Sequence, residues 1–135
     1  MTYQRDIRVE FNHCDPAGIM FYPRYFEMVN SVVENFFRDI AKFPFEAMMA
    51  EREGVPTASI EATFHAPTRL GEILDWRLTV VRLGRTSTAL HLEAHSGGTH
   101  RITADLTLVY ISSAGRPKPW PDDVRTRFND LREST

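Results

Sequence analysis

The chain has one cysteine, Cys14, in 135 residues. No intrachain disulfide can form, and a disulfide-stapled extracellular scaffold is excluded. Long apolar runs are also missing: nothing approaches the roughly 20 consecutive apolar residues of a membrane-spanning helix. The opening segment, MTYQRDIRVE, is charged and lacks the apolar centre of a secretory signal. There is no basic excess, since 16 Lys and Arg stand against 18 Asp and Glu. A nucleic-acid binder would carry a basic footprint. A Gly-rich phosphate loop and a dinucleotide fingerprint are both absent. These absences lead us to expect a cytoplasmic protein that engages neither nucleic acid nor membrane. They leave room for an anionic ligand, because local arginine clusters act within an acidic whole.

What is present is an ordinary globular composition, 42% hydrophobic and 25% charged, in a length that suits a single domain over 1–135. A domain near 150 residues buries roughly 70% of the surface its unfolded chain exposes, enough for one core.

Ile7, Val9 and Phe11 alternate with polar residues, the period of a half-buried strand. His13-Cys14-Asp15-Pro16-Ala17-Gly18 then reads as a turn-forming loop. Beyond it, Tyr22, Phe26, Val29, Val33, Phe36 and Ile40 recur at spacings of four and three, an apolar stripe along a helix. Pro23 suits its first turn, where a missing N–H costs nothing. A shorter helical or irregular stretch over 42–53 ends at Gly54. The rest reads as strands: 57–64, 73–83 with Trp76, Leu78 and Val80 in phase, and 87–96. Gly97-Gly98 is a two-residue hairpin signal, and its partner strand carries Ile102, Ala104, Leu106, Leu108 and Tyr110. Pro117, Pro119 and Pro121 end the pattern before a short polar helix over 122–132. The expected architecture is α+β: one long central helix on a curved antiparallel sheet of about five strands, the last four in a meander. One helix covers only part of such a sheet, so its free edge and face suggest a second copy.

The run from Phe11 to Tyr25, containing Asp15-Pro16-Ala17-Gly18, three mostly apolar residues and Tyr22, resembles the active-site segment of 4-hydroxybenzoyl-CoA-type thioesterases. That family's pattern is Asp-x-Ala-Gly, three mostly apolar residues, then Tyr or His. The stretch from Ala66 to Glu72 and the turn Gly84-Arg85-Thr86-Ser87 also look like family signatures. The resemblance implies a hotdog fold, in which the helix is wrapped by the sheet. It implies hydrolysis of an acyl-CoA to acid and CoA without metal or further cofactor, by a homodimer or homotetramer with its site between protomers. Asp15 would attack the thioester or activate water, and the Tyr22 backbone N–H would bind the oxyanion. Gly18 would let the backbone turn and approach the substrate.

Physical chemistry supports such a site. Hydrolysis needs a nucleophile or base and donors aimed at the developing oxyanion. A loop leading into a helix offers unpaired N–H groups and the favourable end of the dipole. A plain turn-capping role for Asp15 before Pro16 is the competing reading. Cys14 is read as a packing residue, because His13 beside it points to the other face of an extended chain.

Asn30 falls on the helical stripe, where a buried amide requires a partner: local backbone, water, or an acyl group. In the 4-hydroxybenzoyl branch this place carries an acid suited to a phenol, and the amide is a departure from it. Tyr22 stands where aromatic-acyl relatives carry Tyr and short-chain relatives His. Phe26, Thr57 and Ser59 are the other expected substrate contacts. For the CoA phosphates, which need cations, the candidates are Arg82 and Arg85 at one turn and Arg116 and Lys118 after the last strand. No metal site is expected. His91 and His95 share a strand face but lie about 13 Å apart at ~3.3 Å per residue. His95 and His100 would meet across Gly97-Gly98 with no third acid or thiolate, and two ligands do not hold zinc. Two other readings remain, a non-catalytic acyl-CoA- or partner-binding domain and a hydratase or dehydratase of the same fold. The latter uses a His and an acid in a different segment, and no comparable pair is seen here.

Overall fold

The computed structural model describes residues 2–133. Among them five strands run β1 Tyr3–Arg8, β2 Thr57–Phe64, β3 Ile73–Leu83, β4 Ser87–Ser96 and β5 Thr99–Val109. The helices are α1 Pro23–Asp39, α2 Phe45–Ala50 and α3 Asp122–Glu133. The strands form one antiparallel sheet in the order β1-β3-β4-β5-β2. This is the hotdog arrangement, with α1 set between strand one and the rest.

Period-two patterning builds the inner face. Leu74, Trp76, Leu78 and Val80 on β3, Leu90, Leu92 and Ala94 on β4, and Ile102, Ala104, Leu106 and Leu108 on β5 are all buried. They meet Tyr25, Met28, Val29, Val32, Val33, Phe36 and Phe37 of α1. Pro23 does occupy the first turn of α1, and Arg38 lies in the last, where a cation suits the dipole. Register shifts interrupt the ladders at Thr57/Ser59, Val80/Arg82 and Ala94/His95. Such bulges add twist and bend to a sheet.

Five expectations are corrected. The first strand ends at Arg8, and Phe11 is 83% exposed in a single 3-10 turn. There the Glu10 N–H donates to His13 Nδ1 at 2.8 Å, so a local polar bond overrides the alternation. The meander holds only for β3, β4 and β5. β2 crosses over to pair with β5 and becomes an edge. The buried row of α1 is rotated from the expected one: Tyr22 is 60% exposed and Phe26 and Ile40 are half-buried. Both rows belong to one wide apolar face, and the sheet covers only the nearer. Asn30, read as buried, is exposed. The terminal helix is less polar than it reads, because Val124, Phe128 and Leu131 are buried.

Candidate active site

Asp15 begins a small lobe. Cys14 bridges Met20, the Asp15 N–H donates to Ile19 O (3.1 Å), and the Gly18 N–H donates to Asp15 O (3.0 Å). Gly18 has φ +80°, and nothing lies within 4 Å of where a Cβ would stand. Glycine is therefore required by backbone conformation and not by crowding. The Ala17 N–H donates to Asp15 Oδ1 at 2.9 Å, an Asx turn that uses one carboxylate oxygen. The Phe21 N–H donates to His13 O (3.0 Å), which lays the chain before Asp15 alongside the start of α1. Tyr22 has helical backbone angles at the head of α1, and among the described residues its N–H donates no hydrogen bond. A half-exposed carboxylate and an open amide donor thus share one short lobe.

The lobe rests on the 66–72 segment. Ile19 bridges Arg69, the Met20 N–H donates to Thr68 O (2.8 Å), and the Leu70 N–H donates to Gly18 O (3.1 Å). Tyr25 donates its hydroxyl to the buried Thr68 Oγ1 at 3.0 Å. Arg101 clamps this platform from β5, donating to Pro67 O (2.6 Å), Ser96 O (3.0 Å) and both oxygens of Glu72 (2.9 and 3.0 Å). The Arg69 N–H and the Arg101 guanidinium hold the Glu72 carboxyl below its usual range, against the opposing effect of burial. Sequence reasoning missed Arg101 altogether. It lies in a strand whose alternation points it outward, and only the register shift beside it turns it in. The segment from Ala66 to Glu72, which resembles a family signature, carries the Asp15 lobe.

A cleft of about 560 Å³ opens between α1, α2 and the β2–β5 edge. Phe26, Asn30 and Thr57 line it, with Val29, Met48 and Leu106 on its apolar wall. Asp15, Tyr22 and Ser59 do not line it. Ser59 is expected to share a face with Thr57 two residues earlier, but the register shift between them breaks the alternation. Ser59 pairs with Thr107 and borders a hollow on the sheet's open face. Phe26 of the cleft wall also meets Phe64, which is 44% exposed and gathers Tyr22, Tyr25 and Phe26 at ring separations of 5.4 to 6.3 Å.

The four cation candidates meet at the other end of the sheet. The Tyr110 N–H donates to Thr86 O (2.8 Å) and the Trp120 N–H to Arg85 O (3.2 Å), so the 84–87 turn and the 110–120 segment lie together. Arg82, Arg85 and Arg116 are exposed. Lys118 is engaged: its ammonium pairs with Glu53, which also accepts the Tyr110 hydroxyl. The Lys118 and Tyr110 hydrogen bonds hold the Glu53 carboxyl low. Glu53 itself lines the cleft. β5 has 11 residues, and strands rise about 3.4 Å per residue. Roughly 30–35 Å of sheet therefore separates the Asp15 lobe from these cations within one chain.

Across the Gly97-Gly98 turn, His95 does oppose His100. The expectation that no third ligand stands near them fails, because Glu93 reaches the same place.

A family profile described as the thioesterase-like superfamily matches residues 9–128. The 4-hydroxybenzoyl-CoA thioesterase of Pseudomonas sp. strain CBS-3 is 32% identical over 122 residues, 89% of this chain and 84% of that protein. Its solved structure superposes with a TM-score of 0.85 at 25% identity, covering 93% and 98% of the two chains. A 1,4-dihydroxy-2-naphthoyl-CoA thioesterase from Synechocystis gives 0.88 at 18% identity over 97% and 98%. A Staphylococcus aureus protein solved in complex with CoA gives 0.92 at 16% identity over 98% and 85%.

Proposed function

The chain belongs to the thioesterase-like superfamily, and from that premise we propose that it hydrolyses an acyl-CoA, with Asp15 as the reacting carboxylate. The observation that carries this reading is the lobe itself: Asp15 on a tight turn that requires Gly18, beside the unpaired Tyr22 N–H at the head of α1. In one route Asp15 attacks the thioester carbon, CoA leaves as thiolate, and water then cleaves the mixed anhydride. In the other Asp15 takes a proton from the attacking water, and that proton passes to the departing sulfur. Either way one water is consumed per turnover, and the Tyr22 N–H would face the oxyanion. No metal or redox cofactor enters this chemistry.

The acyl group we propose is aromatic. Two of the proteins named above are thioesterases of hydroxylated aroyl-CoAs, and the Phe64 cluster, joined to the cleft through Phe26, offers aromatic surface to such a group. Asn30 and Thr57 would supply its polar contacts at the cleft, and Arg82, Arg85 and Arg116 would meet the CoA phosphates.

A second copy is part of the proposal. The edge strand β2 is exposed on both faces apart from the half-buried Ala62, with Ile60 at 42% and Phe64 at 44% exposure. Antiparallel pairing of two such edges about a two-fold axis would bring the cation end of one protomer beside the Asp15 end of its partner. That closes the gap that one chain leaves open.

The Asx bond from Ala17 supports a rival reading, a binding domain in which Asp15 only shapes the turn. Asp15→Asn separates them. We expect kcat to fall by about two orders of magnitude or more, with the melting temperature held or raised. Near-normal turnover with lower stability would remove Asp15 from the chemistry.

A further inference from the structure

On the open face of the sheet, away from α1, three histidines and a glutamate converge at the β4–β5 hairpin. The rings of His95 and His100 stack at 4.4 Å with 6° between planes, and His65 lies 4.2 Å from His100 on its other side. Ligand atoms of Glu93, His95 and His100 all fall within 4.8 Å of one another. We propose that Glu93, His95 and His100 form a binding site for a divalent transition metal of the zinc, cobalt or nickel type.

The local backbone produces this set. Along β4, Glu93 and His95 share the open face by alternation. On β5 regular alternation would turn His100 inward with Ile102. The register shift opposite His95 instead places Arg101 and Ile102 both inside and leaves His100 outside. Bulges re-aim side chains in this way. His100 Nε2 lies 3.3 Å from Glu93 Oε1. Zinc bonds near 2.1 Å put neighbouring tetrahedral ligands about 3.4 Å apart, so this edge already has the right length. The wider edges need closure by roughly an ångström, which ring rotation supplies because all three residues are only half-buried. Thr103 Oγ1 lies 2.9 Å from His65 Nε2 and orients that ring. His100 Nε2, which contacts Thr103 Oγ1 at 3.0 Å and Ile102 O at 3.1 Å, would exchange those contacts for the ion. Two imidazoles and one carboxylate suit zinc, cobalt, nickel or copper rather than magnesium or calcium. The fourth position falls to water or to His65. Such an ion would tie the two strands together at the hairpin.

The test uses full-length, tag-free protein titrated with Zn²⁺ by calorimetry and with Co²⁺ by visible absorption. We expect one ion per chain, tetrahedral Co²⁺ bands, and a rise in melting temperature with added Zn²⁺. His95→Gln/His100→Gln should weaken binding at least tenfold and abolish the bands, and Glu93→Gln should weaken it by about tenfold. His13→Gln, outside the cluster, should leave Zn²⁺ and Co²⁺ binding unchanged. Each variant's circular dichroism confirms that it is folded. Wild type binding no tighter than the double histidine variant would overturn the site, as would octahedral Co²⁺ spectra unaffected by these substitutions.

Discussion

The two ends of the sheet are built by different physics. The Asp15 end is held by polar bonds: Arg101 reaches Glu72, Pro67 and Ser96, and the 66–72 platform carries the lobe through backbone pairs. The opposite end is held by aromatic burial. Trp120 stacks on Tyr110 at 5.2 Å, Phe128 stacks on Phe36 at 5.4 Å, and Phe37 joins both groups. Polar bonds define direction and spacing, which a reacting group requires. Apolar burial is roughly proportional to area and is indifferent to direction, which suits an anchor. We read the first end as placed for chemistry and the second as placed for stability.

The largest effect expected from this contrast is at Trp120, which is 3% exposed. Trp120→Ala should lower stability by about 3–5 kcal/mol while kcat per folded molecule stays within about twofold, as urea denaturation and initial rates will show. Comparable loss of kcat would mean that this end shapes the reacting centre as well.

Arg101→Ala should cost less stability, about 2–3 kcal/mol, since Glu72 left behind is only partly buried. Its effect on kcat should be the greater of the two, because the platform under Asp15 loses its clamp. An Arg101 variant with full turnover would erase the distinction between the ends.

The separation of the ends can be tested by mixing protomers. Asp15→Asn is expected to lose turnover. Arg82→Ala/Arg85→Ala is expected to raise KM several-fold with little change in kcat, as for contacts equal in ground and transition states. If each site takes Asp15 from one chain and cations from the other, mixed dimers hold one intact site and recover low-KM activity. Mixtures that merely average the parents would place both groups in the same chain's site.

The smallest effect is with acid. Glu72 titrates below its unfolded value, so its contribution to stability is present above the unfolded pKa near 4.3 and is lost as pH falls through the folded one. The stability gap between wild type and Glu72→Gln should therefore be largest at neutral pH and shrink below about pH 4. A gap that persists in acid would show that Glu72 acts through shape and not charge.

Much of this was legible in the residues. The bounds of β3 and β4 follow from period-two alternation, and the run from Asp15 to Tyr22 marks the lobe. Where local bonds or register shifts compete, pattern reading fails. Phe11 left the strand because His13 bonds Glu10, Ser59 left the cleft because the ladder shifts beside it, and Arg101 turned inward for the same reason. Asn30 lay on the right helix, but the sheet covers the neighbouring row.

By itself, then, the sequence determined the alternation of helix and strand, the apolar faces, and the turn that presents Asp15, because each depends on neighbours within a few residues. Only the tertiary structure decided that β2 crosses to the far edge, that Arg101 clamps the 66–72 platform under Asp15, and that Glu93 joins two histidines. Those depend on strand order and on one-residue shifts in register, which long-range packing selects and no local pattern encodes.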